Sequence, residues 1–363
     1  MRKCAQGGEN MKILHYVNEA NLAWGRPWVQ LLLRMEEMGL RNVVLCPSGG
    51  TLARLLEEYS VPHIYSGALI PWFPPFCKGV GNAIEKVRPD VLHTRLSSAA
   101  FIGGYWGHRL GVPVVSTIDK YPRKKYYRNS DVIVGCSTAV SAHMEKVGFP
   151  ADRIVTIHNP VDCGSYNRSS EERIRMRNTA GVSEDDVVFL GLGRFVDWKA
   201  FDNLIEACAR ISKTAKWRLW LVGDGPEHEK LKRLVDEHDL GDRTFFWGYA
   251  ADVRPFLWGA DFFVQPSNKP EGFSLALLEA MAAGLPAAAT KIGGTLDLLD
   301  GGGVFPCKPD DVEELSTILE DFLSLSKEER DALGRDSVKS SSRFSVQAIA
   351  KQYSELYGAC SVE

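Results

Sequence analysis

Short apolar runs alternate with amphipathic stretches along most of the chain. In the first half, five apolar runs of four to six residues have the length of buried strands, and helical patterns such as Pro27–Met38 and Gly81–Val87 separate them. Buried apolar strands that alternate with helices indicate βαβ units and a parallel sheet. The predicted strands of this half are Lys12–Val17, Asn42–Cys46, Asp90–His93, Val112–Thr117 and Val132–Gly135.

The second half repeats the same alternation, which predicts a second α/β domain. Its predicted strands are Val187–Leu192, Trp217–Val222, Thr244–Trp247, Asp261–Gln265 and Pro286–Thr290. Its predicted helices are Phe201–Ile211, Glu227–Glu237, Ser274–Ala283 and Asp311–Leu325.

The stretch Asn159–Ser170 is rich in Asn, Pro, Gly and Ser and has no periodicity, so it is predicted to link the two domains. We therefore predict one Rossmann-like domain over residues 11–160 and another over residues 171–345. Residues 346–363 are predicted to form a helix that crosses back to the N-terminal domain. Two doubly wound domains that face each other would place a ligand cleft at the carboxyl ends of both sheets.

Composition narrows the class of protein. The 363 residues are 45% hydrophobic and 25% charged, as in ordinary globular proteins. No uninterrupted apolar run is long enough to span a membrane, and the first ten residues lack the apolar core of a signal peptide. The eight cysteines are scattered singly without a CxxC pair, which favours a reducing cytoplasm over a disulfide or zinc framework.

Charge is distributed unevenly. Residues 1–160 contain 19 Lys and Arg but only 12 Asp and Glu, whereas the remainder contains 24 and 34. The net charge of −3 therefore combines a basic half with an acidic half, and the basic half is suited to an anionic partner. By itself this charge fits nucleic acid as well as an anionic membrane surface.

The segment Lys269–Pro286 (KPEGFSLALLEAMAAGLP) contains the strongest candidate chemistry. Ser274 is placed to cap a helix, so the amides of Phe273, Ser274 and Leu275 would point out of the helix N-terminus, where anions bind. Glu279 lies farther into that helix, where its carboxylate can accept ribose hydroxyls beside a phosphate. Taken singly, Glu271 also fits a solvated loop carboxylate and Glu279 a solvated helix residue.

Two turns after predicted strands add candidate ligand contacts. In Gly193–Lys199 (GRFVDWK), Arg194 offers a fork of donors and Lys199 a compact charge, and both suit a diphosphate. In Gly223–Glu227 (GDGPE), Gly223 and Gly225 permit a nucleobase or ribose to approach the backbone closely. Each turn alone is a weak signal, because charged and glycine residues are common in such places.

Taken together, these segments resemble glycosyltransferase family 4, the retaining GT-B transferases. The family pattern GR-x4-K, then GDGP, then EGF-x-L-x-x-LEAMA-x-G-x-P occurs here in order, over roughly residues 186–294. The resemblance implies two Rossmann-like domains whose parallel sheets face each other across a cleft. It also implies that Gly193, Arg194 and Lys199 hold the donor diphosphate, Glu279 the ribose, and Glu271 the donor sugar.

The first half resembles the family less closely. The usual Gly-Gly pair near the donor phosphate is absent, and Gly25 is the glycine left to serve there. DVLHTR resembles the family's DVVHAH, with Arg95 in place of the second histidine, and Asp119 stands where a histidine near the sugar is usual. His93 fits either a catalytic role or a hydrogen-bonded structural histidine, and Asp119 fits either a sugar contact or a helix cap.

The predicted function is transfer of a sugar from a nucleoside-diphosphate sugar to a glycan or lipid-linked acceptor, in bacterial envelope polysaccharide or lipopolysaccharide biosynthesis. The chain has no DxD motif, so no metal and no other cofactor are expected. Two alternatives stay open: a sugar-nucleotide epimerase or phosphorylase on the same fold, and a non-catalytic module that binds nucleotide sugars.

A cytoplasmic protein that binds reversibly to the inner face of the membrane is predicted from two segments. Leu69–Lys78 carries Trp72, Phe73 and Phe76 beside a lysine, and Lys120–Arg128 (KYPRKKYYR) carries five cations and three tyrosines. Aromatic anchors next to a polybasic patch are typical of interfacial binding, although the aromatics also fit a core and the cations a solvated loop. Nucleic acid is not expected as a partner, because no binding motif accompanies the charge.

Overall fold

The computed structural model describes residues 10–22, 24–66, 73–212 and 214–360, which form two compact α/β units. The first unit takes in the chain up to Asp162 and again from Phe344 onward, and the second unit is Cys163–Arg343. Each unit is built on a sheet whose strands are all parallel. The structure therefore confirms the predicted pair of Rossmann-like α/β folds.

The sheet of the first unit has seven strands in the order β3-β2-β1-β4-β5-β6-β7. Its central strands are buried along nearly their whole length, which explains their uninterrupted apolar sequences. The strands are β1 (Lys12–Val17), β2 (Arg41–Cys46), β3 (His63–Tyr65), β4 (Val91–Arg95), β5 (Val114–Ile118), β6 (Val132–Gly135) and β7 (Ile154–Thr156). The helices between them are α1 (Gly25–Glu37), α2 (Gly50–Glu58), α3 (Lys78–Val87), α4 (Ser97–Leu110) and α5 (Thr138–Lys146).

The sheet of the second unit has six strands in the order β10-β9-β8-β11-β12-β13. They are β8 (Val187–Leu192), β9 (Trp217–Val222), β10 (Thr244–Gly248), β11 (Phe262–Gln265), β12 (Ala287–Thr290) and β13 (Val304–Cys307). The helices of this unit are α6 (Ser170–Thr179), α7 (Phe201–Arg210), α8 (His228–Glu237), α9 (Arg254–Gly259), α10 (Leu275–Ala282), α11 (Val312–Ser324) and α12 (Lys327–Ser341).

The last helix, α13 (Val346–Cys360), belongs to the first unit, where it packs against α1. Four of its side chains are buried in the same apolar cluster as β1 and α1: Ile349, Ala350, Tyr353 and Tyr357. The 15-residue amphipathic helix thus completes the core of a unit whose other elements lie near the start of the chain.

The predicted elements agree with the structure to within about two residues for most central strands. Three strands carried no recognised signal: β3, β7 and β13. They have three or four residues, lie at sheet edges and are only partly buried, so they lack a continuous apolar run. In the described part of the chain, no helix combines the length and apolarity needed to cross a membrane.

Candidate functional site

The turns that follow β8 and β9 hold each other through backbone hydrogen bonds. Gly193 N–H donates to Val222 O at 3.0 Å, and Phe195 N–H donates to the Asp224 carbonyl at 2.9 Å. Gly223 has φ of +140°, and a Cβ there would lie 1.8 Å from Gly193 O. Any residue but glycine would therefore push the two turns apart.

Lys199 and Glu271 form an ion pair at the carboxyl edge of the second sheet. Lys199 Nζ lies 2.8 Å from both carboxylate oxygens of Glu271, and the two side chains are 14% and 9% exposed. Lys199 comes from the turn after β8 and Glu271 from the loop after β11, and these parallel strands are neighbours. Their meeting contradicts the simple alternative of a solvated loop glutamate.

A hydrogen-bond network holds Glu271 in place. Ser267 Oγ and Gln265 Nε2 both donate to Glu271 Oε1, the latter at 3.3 Å. Gln265 Nε2 also donates to Thr295 Oγ1 at 3.0 Å, while Gln265 Oε1 accepts from Ser274 Oγ. Because the carboxylate is oriented by several fixed donors, it presents a preorganised negative charge at this edge.

The N-terminus of α10 is capped as the sequence predicts. Ser274 Oγ accepts the Leu277 N–H at 3.3 Å, which satisfies one of the free amides of the first turn. The N–H groups of Ser274 and Leu275 make no hydrogen bond to another described residue, so they can face an anion. Phe273, the third predicted residue, is buried beside them.

Arg194 is exposed on the turn after β8. Its guanidinium forms no hydrogen bond or ion pair with any other residue that the structure describes. An arginine without a protein partner is available to bind an anionic ligand in a bidentate manner.

Glu279 faces the segment that joins the two units in sequence. Its Oε1 accepts the Tyr166 hydroxyl at 2.8 Å. Burial raises the pKa of Glu279 to about 7, although the Tyr166 hydrogen bond acts in the opposite direction. Glu279 is therefore no solvated helix residue, and the carboxylate is close to its midpoint at neutral pH.

The corresponding edge of the first sheet contains a buried ion pair. Arg95 ends β4 and Asp119 follows β5, and the Arg95 fork binds both carboxylate oxygens at 2.9 and 2.6 Å. Arg95 also donates to Asn159 Oδ1 and stacks on the Trp24 ring, 3.9 Å from its centroid. Burial would lower the pKa of Arg95, but the Asp119 carboxylate raises it above the usual value.

Asp119 precedes no α-helix, so the alternative reading as a helix cap is wrong. His93 is buried, and both of its ring nitrogens are engaged: Nδ1 with the Tyr357 hydroxyl at 2.5 Å and Nε2 with Thr117 Oγ1 at 2.8 Å. Desolvation, followed by the neighbouring His15, holds the pKa of His93 well below its usual value. This environment fits the structural reading of His93, and its catalytic role stays a prediction.

Gly25, predicted to face a donor phosphate, begins α1. Its N–H donates to Leu22 O at 3.2 Å, so this amide already has a partner within the first unit. A Cβ at this position would lie 3.0 Å from Leu55, which gives the glycine a packing role.

Sequence reasoning missed Tyr166, Trp24 and Asn159. Tyr166 and Asn159 lie in the aperiodic segment that was interpreted only as a linker, and no local pattern distinguishes either one from a loop residue. The described residues contain no group of three or more His, Cys, Asp or Glu side chains suited to hold a metal ion.

Two family models match the chain, one in each half. Residues 25–165 match "Glycosyltransferase Family 4", and residues 172–339 match "Glycosyl transferases group 1". Together they cover both units and leave out little more than the chain ends.

Curated relatives and solved structures agree with the family models. The chain is 28% identical over 363 residues to the lipopolysaccharide core biosynthesis glycosyltransferase LpsD of Rhizobium meliloti, covering 96% of this chain and 98% of the relative. It is 28% identical to LpsE of the same organism, covering 78% of this chain and 80% of LpsE. The crystal structure of Anabaena HepE with UDP-glucose superposes with a TM-score of 0.84 at 21% identity, covering 96% and 100% of the two chains.

The ordered motifs, the two parallel-sheet units and these matches all lead to the same assignment. The fold is that of the GT-B glycosyltransferases. The chain belongs to glycosyltransferase family 4, the group 1 glycosyl transferases.

Proposed function

We propose that this chain is a retaining transferase that moves a sugar from a nucleoside-diphosphate sugar to a glycan or lipid-linked acceptor in envelope polysaccharide or lipopolysaccharide biosynthesis. The observation that carries the proposal is the Lys199–Glu271 ion pair at the sheet edge where the exposed Arg194 turn and the N-terminus of α10 also lie. The names of LpsD and LpsE support the acceptor class, and the UDP-glucose bound to HepE supports the donor class.

Departure of the nucleoside diphosphate from the anomeric carbon is the step that this edge is suited to assist. Negative charge develops on the leaving phosphate, and fixed donors aimed at developing charge lower a barrier most. Lys199 uses two N–H directions on Glu271 and retains a third for a phosphate oxygen. In this proposal Arg194, Gly193 and the amides of Phe273, Ser274 and Leu275 complete the diphosphate contacts.

The remaining predicted residues bind the rest of the donor. Glu271 would accept hydroxyls of the donor sugar, and Glu279 would accept ribose hydroxyls through the oxygen that Tyr166 leaves open. Gly223 and Gly225, both in the turn after β9, would permit close approach of the nucleoside. Asp119, in the first unit, is held in place by Arg95, and its contact with a sugar stays a prediction.

Metal independence is part of the proposal, because cationic side chains and helix amides take the place of a metal at the diphosphate. Donor turnover should be unaffected by excess chelator. A loss of more than about tenfold that magnesium or manganese restores would contradict this part, since one lost charge contact at a leaving group has at least that effect.

Lys199→Ala tests the donor site directly. Loss of one preorganised charge should lower transfer by about 10²–10³-fold and weaken binding of UDP or GDP. Glu271→Ala should lower transfer to a similar extent, but its diphosphate affinity should equal or exceed that of the wild type, because Lys199 is released from its ion pair. Calorimetric titration and transfer assays on both variants separate the two roles.

Lys216→Ala is the control, because it also breaks a lysine–carboxylate ion pair, in this case with Asp185, but does so at the opposite edge of the same sheet. It should leave transfer and diphosphate affinity unchanged. If Lys199→Ala binds the diphosphate as tightly as the wild type, the donor site is wrongly placed.

The same assays test the alternative functions. Isomerised or phosphorolysed donor without transfer would favour an epimerase or phosphorylase. Binding without turnover or donor hydrolysis would favour a non-catalytic module.

We further propose that the first unit binds the inner, cytoplasmic face of an anionic membrane. Phe73 and Phe76 are 49% and 64% exposed, with ring centroids 4.9 Å apart. Both segments pack against α4. Trp106 of this helix donates to Pro74 O, next to Phe73, and Phe101 of the same helix contacts Tyr126 of the polybasic segment. The exposed cations of that segment are Lys120, Arg123, Lys124, Lys125 and Arg128.

The structure changes the prediction for one aromatic residue of these segments. Tyr127 is 1% exposed and donates to or accepts from Ser97, so it belongs to the core instead of an interfacial belt. Trp72 and its neighbours at 67–71 lie outside the described residues. Sedimentation with anionic liposomes at low salt tests the proposal, and failure to bind would refute it; Phe76→Ser should weaken binding without changing donor turnover.

A further inference from the structure

The contact between Tyr166 and Glu279 joins two residues that are 113 positions apart in sequence. Tyr166 ends a short 3-10 turn, Cys163–Tyr166, that packs against α10. Its backbone carbonyl accepts the Trp258 indole N–H at 3.0 Å. The tyrosine is therefore anchored through its main chain, independently of the hydroxyl that reaches Glu279.

The hydroxyl engages only one side of the carboxylate. Glu279 Oε1 accepts it at 2.8 Å, whereas Oε2 has no hydrogen-bond partner in the part of the chain that the structure describes. A carboxylate offers about four lone-pair positions, so most of the acceptor capacity of Glu279 stays open. The open carboxylate oxygen is therefore available to a ligand.

We propose that Tyr166 is a positioning residue for the nucleotide donor: its hydroxyl holds one oxygen of Glu279 so that the other can accept the ribose hydroxyls. This inference rests on the proposed function, in which Glu279 binds the ribose. Tyr166 itself does not touch the ligand in this scheme. It sets the rotamer and the charge state of the residue that does.

The charge state matters because a carboxylate is a stronger acceptor than a carboxylic acid. Burial is the main cause that raises the pKa of Glu279, whereas the Tyr166 hydroxyl lowers it. The Asp252 carboxylate raises the pKa of Glu279 further, and Arg254 pairs with Asp252. Removing the hydroxyl should therefore leave more of the carboxyl group protonated at neutral pH.

The experiment is calorimetric titration of UDP, or of GDP if UDP does not bind, into wild type and Tyr166→Phe between pH 6 and pH 9. A hydrogen bond to a charged group is worth roughly one pKa unit or more. We expect nucleotide affinity to fall about tenfold at pH 6 and about fivefold at pH 7, and to approach the wild-type value at pH 9. Titration of the nucleotide phosphate affects both proteins equally.

Two further variants make the test specific. Tyr65→Phe removes a tyrosine–glutamate hydrogen bond of similar length from the first unit and should leave nucleotide affinity unchanged at every pH. Glu279→Gln has no charge to titrate, so adding Tyr166→Phe to it should produce no pH-dependent difference. Inorganic pyrophosphate, which lacks a ribose, should bind wild type and Tyr166→Phe equally.

The outcomes separate this inference from the function on which it rests. If neither UDP nor GDP binds the wild type at any pH, the proposed donor site fails. If nucleotide binds but Tyr166→Phe equals the wild type at pH 6, or loses affinity for inorganic pyrophosphate by the same factor as for the nucleotide, the positioning role is overturned while the donor site stands.

Discussion

The carboxyl edges of the two sheets carry similar residue types but use them differently. In the first unit, Arg95 binds both oxygens of Asp119, and both ring nitrogens of His93 are engaged by other side chains. In the second unit, Arg194 has no protein partner among the described residues, and Glu279 has an open oxygen. The first edge pairs its charges with one another, whereas the second pairs Lys199 with Glu271 but leaves Arg194 and one oxygen of Glu279 without a partner among the described residues.

The difference indicates which edge is suited to a charged ligand. The Arg95 guanidinium is engaged by both oxygens of Asp119, by Asn159 and by the Trp24 ring, so a phosphate could bind it only by displacing these contacts. Lys199 pairs with Glu271 but retains a third N–H direction for a phosphate oxygen. An exposed arginine and free helix amides bind an anion without such a loss. The comparison also explains two departures from the family pattern, because Arg95 and Asp119 replace two usual histidines and pair with each other.

The largest expected effect on stability comes from removing the Arg95–Asp119 ion pair of the first unit. Arg95→Met should lower the free energy of unfolding by about 3–5 kcal/mol, because it leaves the nearly buried Asp119 carboxylate without its partner. Urea unfolding monitored by circular dichroism measures the change. A loss below about 1 kcal/mol would show that this pair is no more important than a surface ion pair.

A double-mutant cycle sharpens that result. Asp119→Asn added to Arg95→Met should restore most of the lost stability, since removing both charges leaves no unpaired buried ion. If the double variant is as unstable as the sum of the single ones, the effect of Arg95 comes from packing on Trp24 instead of from the carboxylate.

Lowering the pH should have an intermediate effect on the free energy of unfolding. Burial lowers the pKa of His15 to about 4, and its Nε2 donates to Asn42 Oδ1 at 2.9 Å. Below the ordinary histidine pKa the unfolded chain binds this proton and the folded chain does not, so stability is lost as pH falls from 6.5 towards 4. Between pH 7 and pH 5 the loss from this residue should be about 2 kcal/mol.

His15→Gln isolates that contribution, because glutamine retains an N–H donor but cannot titrate. Its unfolding free energy should fall less than that of the wild type over the same pH interval, by about 2 kcal/mol. Parallel pH dependences of the two proteins would contradict a neutral buried His15.

The smallest expected effect on stability comes from Arg194 in the second unit. Arg194→Ala should change the free energy of unfolding by less than about 0.5 kcal/mol, because the side chain is exposed and pairs with no residue that the structure describes. Its affinity for UDP or GDP should nevertheless fall about tenfold or more, as expected for a lost charge-assisted hydrogen bond.

Arg210→Ala is the matched control for Arg194. Arg210 is exposed at the last residue of α7, and that end of the helix lies towards the amino edge of the sheet. It should alter neither stability nor nucleotide affinity. Equal affinity for both variants would remove Arg194 from the donor site.

Most of the second unit's candidate site could be predicted from sequence because each part is local. Gly193 with Lys199, Gly223 with Gly225, and Glu271 with Ser274 each lie within one turn or one helix start, where residue type and spacing determine the backbone. Parallel strands then bring these turns to one edge without any further information. The apolar periodicity likewise specified the buried central strands and the amphipathic α13.

Tertiary structure alone decided which side chains satisfy one another. The Arg95–Asp119 pair, the Tyr166–Glu279 contact and the packing of α13 on α1 join residues far apart in the chain, and no short pattern encodes such pairs. The edge strands β3 and β13 could not be predicted from the sequence either, because a short, half-exposed strand is specified by its neighbour's backbone more than by its own side chains. The sequence determined which charged residues lie at the edge of each sheet. Long-range packing determined which of them pair with other side chains.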